Sequence, residues 1–157
     1  EMNVFILSIL IALAMVVIDQ LVKWWVAGHL ALGETMTFIP KVLSLTHYQN
    51  NGAAWSILEG QMWFFAIVTF IAVPVCLWLL WKNRRGSKFY SLGLGLIIAG
   101  ALGNFIDRVR LGYVVDMFRT EFINFPIFNV ADMCLTVGVA IVFIYAIFEE
   151  RFERKTK

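Results

Sequence analysis

The chain has 157 residues, of which 61% are hydrophobic and only 15% charged, with a mean hydropathy of +0.78, a balance that excludes an ordinary soluble domain and any disordered or low-complexity segment. Its 13 basic and 11 acidic side chains leave a formal charge of +2, too even and too sparse for a phosphate-binding surface, so nucleic acid is not an expected partner. The expected architecture is an all-α membrane protein, a single integral-membrane domain over residues 1–157 with four transmembrane helices, a small extracytoplasmic β-containing loop region and a short interfacial helix.

Glu1 precedes a plausible initiator, so the native start is expected at Met2. The first span is expected over residues 4–26, uncharged from Val4 to Ile18 and continuing through Asp19 and Lys23, too long for a cleaved signal peptide. In the outer loop that follows, Thr35 to Gln49 carries β-branched and aromatic residues around Pro40 and predicts short strands. Gln49-Asn50-Asn51-Gly52 reads as a turn, and Ala53 to Leu58 as the short helix at the interface, with Trp55 suited to the headgroup level. The second span, 62–81, contains no charge and one Pro, Pro74, a candidate kink.

Lys82, Arg84, Arg85 and Lys88 crowd the link to the third span, 89–106, with no acid among them, which places that link in the cytoplasm. Both termini then lie on the cytoplasmic side, and residues 27–61 and 107–129 form the outer loops. Within the third span Gly95, Ala99 and Gly103 recur every fourth residue, a stripe that permits close helix packing. Gly93-Leu94-Gly95 lacks the third glycine and the preceding strand of a dinucleotide loop. The fourth span, 130–148, carries one charge, Asp132, and the tail adds Arg151, Arg154, Lys155 and Lys157. Cys76 and Cys134 sit in apolar runs, and with His29 and His47 they show no metal-ligand spacing, so neither metal, disulfide nor cofactor is expected.

An ionisable group at membrane depth costs about 2.5–3.5 kcal/mol on insertion scales, so each needs an explanation. Asp19, Lys23, Asn104, Asp107, Arg108, Asp116, Asn129 and Asp132 all fall in the outer half of the spans or just beyond. Asp19 and Lys23 are four apart and pair on one helix face. Asp107 and Arg108 are adjacent, so they point apart and each reaches another helix or the loop, where Arg108 can hold a backbone carbonyl. Asp116 and Asp132 have no basic neighbour at helical spacing. From spacing alone they fit a shared carboxylate site, an ion-conducting pair or separate structural contacts.

The ordered blocks Asp19-Gln20-Leu21-Val22-Lys23, Asn50-Asn51-Gly52-Ala53-Ala54-Trp55, Gly100-Ala101-Leu102-Gly103-Asn104-Phe105-Ile106-Asp107-Arg108, Val114-Val115-Asp116 and Phe128-Asn129-Val130-Ala131-Asp132 span nearly the whole chain. In size, helix layout and motif order the chain resembles the lipoprotein signal peptidases. The resemblance implies a bacterial inner-membrane aspartic endopeptidase. It would cleave the signal peptide from diacylglyceryl-modified prolipoproteins just before the lipidated cysteine, working as a monomer among membrane lipids near the outer leaflet. Carried over by motif, Asp116 and Asp132 are the catalytic pair; Asn50, Gly52, Asn104, Arg108 and Asn129 shape or contact the substrate site; Asp19, Lys23 and Asp107 support it. The chain departs from the family at Gln49, where Arg is common, and at Trp55, often Phe.

Paired carboxylates suit this chemistry because two close acids do not both ionise easily, leaving one to accept a proton from water and the other to donate. The rival reading is a small proton or ion pathway. Conduction needs polar groups in both halves of the bilayer, whereas the inner halves carry only Asn3, Ser8, Ser91 and flanking charge.

Overall fold

The computed structural model describes residues 3–53 and 57–154, with side chains through residue 149. Helices α1 (Val4–His29), α2 (Met62–Lys82), α3 (Lys88–Leu111) and α4 (Val130–Arg154) surround a core on which a small sheet of β1 (Thr35–Ile39), β2 (Leu43–Asn50) and β3 (Val114–Thr120) is seated. All four helices are long and apolar enough to cross a membrane. α1 is capped by Asn3, whose side chain accepts the Phe5 N–H. α3 starts at Ser87, whose hydroxyl accepts the Tyr90 N–H, and stops where Gly112 turns left-handed at φ 81°. α2 runs unbroken through Pro74.

α3 is the inner helix: half of its most apolar window is buried, against 17% for α1 and α2. Small residues permit this, on two faces rather than the single expected stripe. Gly95 backs onto the Ser8 carbonyl of α1, while Gly93 and Gly138 place the backbones of α3 and α4 in contact. A Cβ on Gly100 would press on the Ala131 carbonyl. Gly100→Ala is therefore expected to push α4 away and destabilise the protein by about 1–3 kcal/mol, read as a lower unfolding temperature in detergent.

Several boundaries differ from the sequence expectation: α1, expected to end at Val26, runs to His29, and α4, expected to end at Phe148, resumes after a kink there and runs to Arg154. α3 continues five residues past Ile106 to Leu111, so Asp107 and Arg108 stand on the helix and not in the loop. The loop after it holds β3, built from Val114-Val115-Asp116-Met117-Phe118, whose β-branched and aromatic content is strand-like. The short helix expected over Ala53–Leu58 falls partly on residues 54–56, Trp55 included, which lie outside the described residues; Ile57 to Gly60 form turns, with Leu58 at φ 58°.

The sheet is antiparallel in the order β1-β2-β3. β2 pairs with β3 so that Tyr48 faces Asp116 and Asn50 faces Val114. Beneath it Val115 and Met117 pack on Val26 and Leu30, anchoring the sheet to the C-terminal end of α1. After β3 the chain returns through Phe128, which exchanges backbone hydrogen bonds with Phe118 and delivers Asn129 to the start of α4.

Candidate active site

Asp116 and Asp132 are brought to one place by different devices. Asp116 is held on β3 and is 1% exposed. Asp132 stands in the first turn of α4, where Asn129 and Asp132 cap the helix reciprocally: the Asn129 side-chain oxygen accepts the Asp132 N–H at 2.8 Å, and Asp132 Oδ2 accepts the Asn129 N–H at 3.1 Å. That box makes Asp132 a structural part of the helix start as well as a site residue.

Amides link the two acids. The Asn129 NH2 donates to Asp116 Oδ1 at 2.6 Å and to Asn104 Oδ1 at 3.0 Å, while the Asn104 NH2 donates to Asp132 Oδ1 at 2.8 Å. Asn50, whose side-chain oxygen accepts the Gly52 N–H, donates to Asp116 Oδ2 at 3.1 Å. Each of the four carboxylate oxygens thus receives an N–H. Burial, and then the Asp132 carboxylate nearby, still push the Asp116 carboxyl up to about 7 against the lowering effect of its two amide donors.

Both acids line a cavity of about 670 Å3 between α2, α3 and α4. Its polar end holds Asn50, Gly52, Asn104 and Arg108, and its walls continue over Val68, Ala72, Ile97 and Leu135. Arg108 donates to the Gly52 carbonyl at 3.3 Å and lies 4.0 Å over the Phe65 ring, bridging the loop after β2 to α2.

Behind the acids, Lys23 is more than an intrahelical partner. It pairs with Asp19 at 2.9 Å and equally with Asp107 of α3 at 3.2 Å. Asp19 also accepts the Ala131 N–H at the start of α4, and Asp107 accepts the Val115 N–H beside Asp116. The buried ion pairs therefore tie α1 and α3 to both acid-bearing elements. Gly103 leaves room for this, since a Cβ there would lie 2.7 Å from Asp19 Oδ2. Gln20, given no role from the sequence, donates to Asp19, Asp107 and the Gly103 carbonyl; its signals were a neutral polar side chain inside a span and a place in the first motif block. Among the described residues no three His, Cys, Asp or Glu side chains group as metal ligands.

Residues 11–148 match the family model described as signal peptidase (SPase) II. The chain belongs to the signal peptidase II family. Curated relatives called lipoprotein signal peptidase include one from Lactiplantibacillus plantarum, 53% identical over 93% of this chain and 97% of that protein. Another, from Enterococcus faecalis, is 53% identical over 99% of this chain and 96% of its own length. A solved bacterial membrane enzyme superposes with a TM-score of 0.87 at 42% identity, covering 91% of this chain and 88% of the other. A second reaches 0.81 at 43% identity over 88% and 91%. As a member of this family the chain is a multi-pass membrane aspartic peptidase.

Proposed function

We propose that this chain, acting as one monomeric membrane domain, removes the signal peptide from diacylglyceryl-modified prolipoproteins just before the lipidated cysteine, with Asp116 and Asp132 as the catalytic pair. One observation carries the assignment: the two acids, 16 positions apart in sequence, converge through Asn104 and Asn129 on the polar end of an otherwise apolar cavity. The ionised acid takes a proton from water as its oxygen attacks the scissile carbonyl, and the protonated acid gives its proton to the carbonyl oxygen. On collapse the first acid passes its proton to the departing nitrogen, the C–N bond breaks, and the second recovers its proton from the hydroxyl. Asn50, Gly52, Asn104 and Arg108 line the pocket, Asn129 stands behind them joining Asn104 to Asp116, and Asp19, Lys23 and Asp107 hold the site. The decisive experiment is incubation of the purified protein with a lipidated precursor. Mass spectrometry is expected to find a product beginning at the lipidated cysteine; cleavage elsewhere, or none, refutes the assignment.

A raised Asp116 value has a kinetic consequence. The acid that must enter the reaction protonated keeps its proton below about 7, so cleavage falls as pH rises through that value and also falls at low pH once both members are protonated. The measurement is kcat/KM against pH in detergent, with a bell-shaped profile expected.

Orientation follows from the four cations between α2 and α3, which favour a cytoplasmic link, cytoplasmic termini and a site near the outer leaflet of the bacterial inner membrane. Cysteine labelling tests this. Thr46, an outer-loop position by sequence, is buried and bonded to Thr35, so Thr37 on exposed β1 is the better outer probe, with Arg85 inside. Thr37→Cys is expected to label from outside and Arg85→Cys only after permeabilisation; the reverse overturns the topology.

A further inference from the structure

Lys23 is buried and offers only N–H donors. Besides its two carboxylates it reaches the Gly103 carbonyl at 3.3 Å and Asn104 Oδ1 at 3.1 Å. Such a donor dictates which way the Asn104 amide faces. With its oxygen toward Lys23 and the Asn129 NH2, Asn104 must turn its own NH2 to Asp132. The reverse orientation would set NH2 against both donors and oxygen against a carboxylate, three unfavourable contacts at once. Asn129 is locked similarly, because its oxygen is committed to the Asp132 N–H.

We propose that Lys23 is a positioning residue for the reaction: by pinning the Asn104 oxygen it keeps that amide's N–H on Asp132, and so holds Asp132 as the ionised, water-activating acid while Asp116 carries the proton. The inference rests on the reading of these two acids as the catalytic pair. Both acids take a donor on each oxygen, but only Asp132 does so at a helix N-terminus, where negative charge is favoured. Asp116, on a strand, lacks the helix end and is pushed up to about 7. The charged groups around Asp132 are Asp19 and Lys23 from α1, Asp107 and Arg108 from α3, and Asp116 from β3. From α2 the cavity receives Phe65, Val68, Thr69 and Ala72, none titratable.

The test uses two variants of the full chain, assayed on a lipidated precursor across pH. Asn104→Asp keeps the shape and an acceptor for Lys23 but removes the N–H from Asp132 and adds negative charge. It is expected to lower kcat roughly 100-fold with KM little changed, and to move the acidic limb of the profile up by about one pH unit. Lys23→Met, where it remains folded, is expected to show the same upward shift; where it does not fold, Asn104→Asp alone decides. An acidic limb unmoved in Asn104→Asp, or in folded Lys23→Met, overturns the positioning role even if kcat drops. Asp116→Asn and Asp132→Asn are run beside them. Activity retained in either refutes the catalytic pair itself, whereas two inactive variants with an unmoved limb in Asn104→Asp refute only the role of Lys23.

Discussion

Asp116→Asn and Asp132→Asn are each expected to reduce cleavage at least roughly 10^3-fold while the purified protein stays folded, because either change removes half of a proton-transfer pair and little volume. Their effects on stability should differ in pH dependence. The Asp116 carboxyl is raised from 3.8 to about 7 in the folded protein, so the stability it contributes is fully present below the unfolded value and is lost as pH rises through the folded one. Asp116→Asn sets an NH2 against the Asn50 or the Asn129 NH2, both donors, but well above neutrality it also spares the protein a buried charge, so its loss of unfolding temperature should shrink as pH rises. Asp132→Asn likewise sets an NH2 against the Asn104 NH2 or the Asn129 N–H, both donors, costing about 1–3 kcal/mol. Cleavage and thermal unfolding measured on the same preparations check both. A residual rate within tenfold of the parent in either variant would sink the dyad.

Removing the lipid from the substrate is expected to lower the rate by orders of magnitude, with a smaller effect from Leu-for-Val exchanges in the signal peptide's apolar stretch. The cavity joins a polar end at Asp116 and Asp132 to walls of Val68, Ala72, Ile97 and Leu135, so a precursor must hold its scissile bond at one depth. Two acyl chains anchored in the leaflet provide that depth and replace lost orientational freedom. Exchanges among apolar residues change little, since lipid and helix surfaces are about equally apolar. Lipidated and unlipidated precursors compared with one enzyme in one detergent supply the measurement. Equal rates would identify a general intramembrane peptidase with no dedication to lipoproteins.

Hydropathy alone located the four helices, though not their ends, because a bilayer requires long apolar runs and every backbone group in them is satisfied within the helix. The same rule made the polar residues conspicuous: Asp19, Lys23, Asn104, Asp107 and Asp132 are costly inside spans, and motif order added Asn50, Asp116 and Asn129. Periodicity carried the information that a residue is buried but not which partner it meets. The strand bearing Asp116 was hidden in a loop, since seven residues show no decisive pattern until β2 pairs with them. Lys23 looked like the partner of Asp19 alone because only α1 is local; Asp107 reaches it when α3 packs through Gly103.

Composition and order along the chain thus determined a four-span membrane protein and the inventory of chemically able side chains. Tertiary structure decided their relations: Asn50 reaching Asp116 across 66 positions, Asp19 holding the Ala131 N–H across 112, and the direction each amide faces. The physical reason is that hydrophobic burial is non-directional and sums along the sequence, so it is legible there. Hydrogen bonds and ion pairs depend on angle and a few tenths of an ångström, and those are set only when separate helices and strands pack against one another.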